Sequence, residues 1–324
     1  MGVKYMTMKE LAKLANVSVS TVSKAFSEAE DISKDTKELI LQLAREYGCY
    51  GRFFKGKYHK KVVAIICPEL IGNYYTCFVD CFRELIEATD GMCVVSADHF
   101  SPSKQAELID YYIAYLKVDG LIVFNLNAPI KKAYDRPIVA IFSNKASCVD
   151  FVKVDMRGAL DRAVSLLIEC GHRKIAFLGE TLTQSKEEYF VSAATNHSCD
   201  GAIVIRSEFR FEKAGEDGIC RLLEQHPDTT AVICAYDRIA YGAIRQLEMA
   251  GLQVPLDMSF IGIDNISTSE YTKPTLTTID TKPREVCLVA WELLERKMQN
   301  SGFGVRQTIE IQTGLILRES VTRI

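Results

Sequence analysis

From residue 62 onward short apolar runs alternate with amphipathic segments, and this alternation constrains the fold more than any other feature of the 324-residue chain. Strand-like runs at 62–67, 92–97, 120–124 and 138–142 are interleaved with helical patterns at 77–88 and 104–116. A second series starts after Asp155. It comprises a helix at 159–170, strands at 174–178 and 202–205, a helix at 214–223, a strand at 231–235, a helix at 238–250 and a strand at 259–263. Strands that alternate with helices form parallel sheets covered on both faces. Two successive series predict two α/β lobes, with a ligand crevice at the carboxyl ends of their strands.

The first 50 residues read differently. Thr7 can cap a helix whose first turn holds Glu10 and whose inward stripe is Leu11, Leu14 and Ala15. Asn16 and Val17 suit a tight turn, and Ser18 can cap a second helix over 19–26. Val22, Ala25 and Phe26 supply its inward face, which leaves Val19, Ser20, Thr21, Ser23 and Lys24 outward. Short polar side chains of this kind suit a helix laid against base edges and phosphates. Spacing alone leaves an ordinary helical hairpin open as well. A third helix comes next, capped by Ser33, striped by Leu39, Ile40, Leu43, Ala44 and Tyr47, and stopped by Gly48.

Charge separates the same two regions. Residues 1–61 carry ten Lys and two Arg against seven Asp plus Glu, a net of +5. The rest carries 27 basic against 35 acidic residues, a net of −8. A basic head on an acidic body is what phosphate neutralisation by one end requires, although lysines 55, 57, 60 and 61 would suit any linker.

The stretch Leu11-Ala-Lys-Leu-Ala-Asn-Val-Ser-Val-Ser-Thr-Val-Ser-Lys24, with Ile32, Ser33 and Thr36, resembles the DNA-binding headpiece of the lactose-repressor (LacI/GalR) family. Further matching segments are His172–Gly179, Ile261–Asn265, Lys273–Ile279 and Leu317–Ser320, so the resemblance covers essentially the whole chain. It implies a transcription regulator, most simply a repressor. Its all-α helix-turn-helix headpiece would be joined to a two-lobed α/β core of parallel sheets, like that of periplasmic sugar-binding proteins. The implied organisation is a headpiece at 1–50, a hinge at 51–61 and a core at 62–324. Lobe 1 would hold about 62–154 and 283–311, and lobe 2 about 155–281 and 312–324. The resemblance further implies that Val19, Ser20 and Lys24 read bases and that Thr21, Ser23 and Ser33 contact phosphates. Thr7 and Ser18, at the helix starts, complete the DNA-facing set. The implied partner is pseudo-palindromic double-stranded operator DNA, read by a homodimer.

Two carboxylates stand at strand ends in the second lobe. Asp237 can either cap the helix it begins or accept hydrogen bonds from a ligand. Asp264 matches the family's ligand-binding aspartate. Other positions depart from the sugar-binding pattern. Tyr236 stands where many members carry Asn, Lys186 and Tyr189 stand where an arginine follows Gly179, and Phe142 replaces an acidic residue. With Asn73, Tyr74 and Tyr75 at the rim of lobe 1, these residues point to a small-molecule effector with a flat or apolar face, purine-like or a stacked sugar. A cleft that no longer binds a ligand is the alternative.

The hinge is unusual too. Cys49-Tyr-Gly-Arg52 replaces the family's Tyr-x-Pro-Asn entrance, and the segment after it is about one helical turn short, with Gly51 and Gly56 opposing a helix. Either the hinge is not helical, or Phe53 or Phe54 takes the place of the leucine that wedges into the minor groove, or both phenylalanines pack under the first lobe.

No run of 18 apolar residues occurs and no signal pattern opens the chain, so neither a membrane span nor export is expected, and the location would be the cytoplasm. Eleven cysteines in apolar segments predict reduced thiols, with Cys77 and Cys81 buried on one helix face. No metal and no cofactor is expected. Without a Walker loop, H-E-x-x-H or G-x-S-x-G, no enzyme is expected; a transport-type sugar-binding protein remains the rival class.

Overall fold

The structure, a computed structural model, describes residues 6–27, 29, 31–53, 60–130, 134–142, 149–299 and 305–324. These fall into two compact units, residues 1–60 and 61–324.

The first unit is built from short capped helices. In α1 (Met8–Leu14) the Thr7 hydroxyl accepts from the Glu10 amide at 3.3 Å, and the Glu10 carboxylate accepts from the Thr7 amide at 2.7 Å. Asn16, at φ 52°, turns the chain into α2 (Val19–Ala25), whose first turn is capped by Ser18. Ser33 caps α3 (Lys34–Glu46) in the same way. A four-residue helix α4 (Tyr50–Phe53) comes after it. Leu11, Val22, Ala25, Phe26, Ile40, Ala44 and Phe53 form the core. Leu14, Leu39 and Tyr47, expected inward, are about half exposed at 48%, 47% and 53%. Helices this short meet along a seam narrower than their apolar stripes.

The hinge expectations change accordingly. The headpiece core does not stop at residue 50: the turn over 50–53 is helical, despite Gly51, and ends in buried Phe53, 5.7 Å edge-on to Phe26. Phe53 is therefore held in the headpiece core in this structure rather than projecting as a groove wedge. Phe54 and the linker to His59 lie outside the described residues.

The second unit holds two six-stranded sheets. The first takes β1 (Val62–Cys67), β2 (Met92–Ala97), β3 (Gly120–Phe124), β4 (Ile138–Ile141), β5 (Asp150–Val154) and β11 (Thr308–Ile311). They lie in the order β11-β5-β4-β3-β1-β2, all parallel. Val63, Ile65 and Cys67 pack under α5 (Asn73–Ala88) and α11 (Pro283–Gln299), whereas Ala64 and Ile66 face α6 (Pro102–Asp110) and the π-helical turn Tyr111–Leu116. Strands buried on both faces explain the unbroken apolar runs.

The second sheet takes β6 (Ile175–Glu180), β7 (Ile203–Ser207), β8 (Ala231–Cys234), β9 (Ser259–Ile263), β10 (Thr277–Asp280) and β12 (Gly314–Ile316), in the order β12-β10-β9-β8-β6-β7. Only β12 is antiparallel, against β10. Helices α7 (Met156–Glu169), α8 (Gln184–Asn196), α9 (Phe211–Gln225) and α10 (Asp237–Met249) cover it. The chain passes from one sheet to the other after β5, after β10 and after β11. A Cβ on Gly242 would stand 1.8 Å from the Glu212 carbonyl oxygen, so α9 and α10 touch backbone to backbone. Their amino ends, both beside the cleft, are held together by this contact.

Cys77 is exposed, contrary to the expectation for that pair, and Cys81 is only half-buried, at the edge of the core that α5 packs against. Cys67, Cys77, Cys81, Cys93, Cys170, Cys199, Cys220, Cys234 and Cys287 are free thiols, and no group of three potential ligands among the described residues could hold a metal ion. No helix among them is long and apolar enough to cross a membrane.

Candidate functional site

In the headpiece, Val19 is 41% exposed, and Ser20, Ser23 and Lys24 project from the same helix. Thr21 is half-buried; its hydroxyl bonds to that of Ser18 at 2.7 Å. The hydroxyls of Thr7, Ser18 and Ser33 each accept a helix amide, which fixes the helix starts. The Lys24 ammonium pairs with Asp31, whose carboxyl it holds below the usual range. The outward surface of α2 is thus small, polar and cationic at one end.

In the second unit a cavity of about 710 Å³ lies between the two sheets. Asn125, Phe142 and Val154 line it from the first sheet, and Glu180, Tyr236 and Asp264 from the second, each at or just past the carboxyl end of a strand. All nine effector candidates, Asn73, Tyr74, Tyr75, Phe142, Lys186, Tyr189, Tyr236, Asp237 and Asp264, line it. Tyr74 stacks on Phe142 at 6.2 Å and 23°, and Tyr75 accepts from the Asn125 amide at 2.8 Å. Phe100, Asn125, Phe142, Phe211 and Asp264 all sit at positive φ, Asp264 at 107°. Strained backbone gathered at one cleft is the pattern of a functional surface.

The two aspartates differ. Asp237 neither caps α10 nor offers a free oxygen. Oδ1 accepts from Thr278 at 2.5 Å, and Oδ2 accepts from Ser269 at 2.6 Å and from the Ile266 amide at 2.9 Å. It borders the cavity but is 1% exposed, and its hydrogen bonds knot its own lobe together. Burial pushes its carboxyl up to about 6, against those hydrogen bonds. Asp264 instead keeps Oδ1 buried with no hydrogen-bond partner. Burial pushes its carboxyl up to about 7, with Lys186 opposing and Asp237 reinforcing.

The expectation of few bidentate polar groups fails. Arg210 grips Glu69 with both terminal nitrogens at 2.8 and 2.9 Å, and Arg238 grips Glu212 at 2.7 and 2.8 Å. The segment after Gly179 has no arginine, but Arg210 lies just past β7 and Arg238 begins α10. Glu69, Glu180, Arg210 and Arg238 line the cavity, and the sequence patterns did not single them out. The signal that marks Arg210 and Glu69 is a charged residue within three positions of a strand's carboxyl end, independent of the sugar-binding pattern. Tyr236 links the two sets: its hydroxyl donates to Glu180 at 3.2 Å and accepts from the Phe211 amide at 2.9 Å.

Residues 7–50 match the family described as bacterial regulatory proteins, lacI family, and residues 164–321 match the periplasmic binding protein-like domain. The chain thus joins a lacI-family DNA-binding headpiece to a periplasmic binding protein-like domain. It is 28% identical to the HTH-type transcriptional repressor CytR of Escherichia coli K12 over 314 residues, 92% of this chain and 91% of that protein. Among solved structures, a lacI-family transcriptional regulator from Silicibacter pomeroyi superposes with a TM-score of 0.78 at 19% identity, over 98% of this chain and all of that one. Another lacI-family regulator, from Enterococcus faecium with bound ribose, gives 0.72 at 23%, over 82% of this chain and all of that one. At these identities the two structures speak for the fold. With a lacI-family headpiece and HTH-type transcriptional repressors among its relatives, the chain is a DNA-binding transcriptional regulator.

Proposed function

We propose that this lacI-family regulator is a cytoplasmic homodimeric repressor whose two headpieces read a pseudo-palindromic operator and whose cleft binds a small effector. Val19, Ser20 and Lys24 meet base edges, and Ser23, Thr21, Thr7, Ser18 and Ser33 lie along the phosphates. It carries out no catalysis. The effector sits between the sheets, with a flat or apolar face on Tyr74 and Phe142 or on Tyr189. Its hydroxyl or amine donates to Asp264, beside Lys186. Binding changes operator affinity only so far as the effector prefers one arrangement of the lobes over another.

The observation that carries the effector reading is the buried, unpartnered Oδ1 of Asp264 in a cavity of about 710 Å³. A buried carboxylate oxygen without a donor is unfavourable in the empty cleft, and a ligand donor relieves it. Thermal melting with ribose, the ligand bound by one structural relative, and with adenosine tests this. A saturable upward shift that Asp264→Ala abolishes without unfolding the protein supports the reading. A panel of neutral sugars and nucleosides that shifts nothing would favour a cleft without a ligand.

A further inference from the structure

The charge of the effector can be argued from one ion pair, an argument that rests on the proposed reading of the cleft. Arg210 stands past β7 in the second sheet's lobe, and Glu69 stands past β1 in the other. Two parallel donations at 2.8 and 2.9 Å join them, the geometry in which a guanidinium takes a carboxylate or phosphate. Nε of Arg210 lies 3.5 Å from Glu180, and its plane covers Phe211 at 4.5 Å and Phe100 at 5.3 Å. Glu69 is only 7% exposed. Glu69 and Glu180 hold the guanidinium more firmly charged than usual.

Among the described residues, the other cations lining the cavity are also engaged. Arg238 is held by Glu212, Lys153 pairs with Glu310 at 2.7 Å, and Lys186 donates to the Ala235 carbonyl at 2.7 Å. Arg157, exposed at the rim, lies over the Tyr189 ring at 4.8 Å and donates to Ser192 at 3.4 Å. The buried side-chain oxygen left open to the cleft, on Asp264, is an acceptor.

We propose that Glu69 is a specificity determinant, an internal anion that fills the Arg210 site so that the cleft takes an uncharged hydroxyl- or amine-bearing effector and rejects phosphorylated or carboxylated ones. An incoming anion has to displace Glu69 and strand a buried carboxylate among Glu180 and Asp264, an arrangement that opposes binding of the wrong class more than it favours the right one. The same pair spans the two lobes, so the group that sets specificity also favours the closed cleft.

The test uses the full-length protein and inorganic phosphate, with ribose 5-phosphate as a second probe, at ionic strength fixed with sodium chloride. Phosphate is expected to leave wild-type melting unchanged. Glu69→Ala should show saturable stabilisation, with apparent phosphate affinity raised about tenfold or more. The double variant Glu69→Ala/Arg210→Ala should lose that gain, which assigns it to the guanidinium. Should Glu69→Ala fail to fold, Glu69→Gln keeps the packing and should gain in the same direction. Saturable phosphate binding of equal strength in wild type and variant would overturn the proposal, and so would a folded variant with no gain. Neither result depends on ribose or adenosine binding, so failure of the effector reading remains separately visible.

Discussion

The ammonium of Lys186 stands 3.8 Å from Oδ1 of Asp264, beyond hydrogen-bond reach, because it donates instead to the Ala235 carbonyl at 2.7 Å. The lysine thus lends attraction to the carboxylate without satisfying it. A ligand that donates to Asp264 would satisfy the carboxylate that Lys186 does not reach.

That relationship has a pH signature. An unfolded aspartate titrates near 3.8, whereas burial raises Asp264 to about 7, against the pull of Lys186. The folded state then holds the proton more tightly than the unfolded chain. The resulting stability is fully present below about pH 4 and is lost as pH rises through 7, by on the order of 4 kcal/mol. Asp264→Asn should therefore melt well above wild type at pH 8 and close to it at pH 4 in calorimetry. Asp237, raised in the same direction to about 6, is retained in the variant and should leave a smaller slope near pH 6. Melting curves that differ equally at both pH values would argue against a buried, unpartnered Asp264.

On the headpiece, Lys24 pairs with Asp31. Its pairing with Asp31 in the free protein competes with any base or phosphate it meets on DNA. Both groups are largely exposed, so the pair adds little to folding, but the carboxylate repels phosphates at short range. Asp31→Asn should tighten binding to any duplex by about threefold at low salt and by less as salt is raised. Lys24→Ala should weaken binding, most strongly at one or two operator positions if it reads bases. Anisotropy titrations across a salt series separate the outcomes. An affinity indifferent to Asp31→Asn at low salt would mean that Lys24 does not approach the DNA.

Sequence and structure agree where local chemistry decides and part where distant residues meet. The caps at Thr7, Ser18 and Ser33 and the left-handed turn at Asn16 are set within four residues, and each was legible. The doubly buried strands declared themselves as unbroken apolar runs. The Arg210–Glu69 bridge could not be read, since its members are 141 residues apart and meet only because two lobes face each other. Asp237 misled for a related reason. Its position at a helix start suggested a cap, but Thr278 and Ser269, 41 and 32 residues further on, claim its oxygens. The glycines of the hinge argued against a helix, yet burial of Phe53 outweighs the propensity of one Gly in a single turn.

Phe53 gives the hinge its own test. Its ring closes the headpiece core against Phe26, and a unit of some 50 residues has little stability to spare. Truncating a buried phenylalanine at the edge of so small a core should remove about 2–4 kcal/mol. Phe53→Ala should therefore speed hydrogen exchange along Lys34–Glu46 and lower operator affinity in proportion to the unfolded headpiece, while Phe53→Leu restores most of both. Any DNA bend in the complexes that still form, read from circularly permuted fragments in a gel shift, should stay as in wild type. A headpiece that keeps its exchange protection while the bend disappears would instead place Phe53 in the minor groove, and the packing against Phe26 would then be a contact that DNA binding breaks.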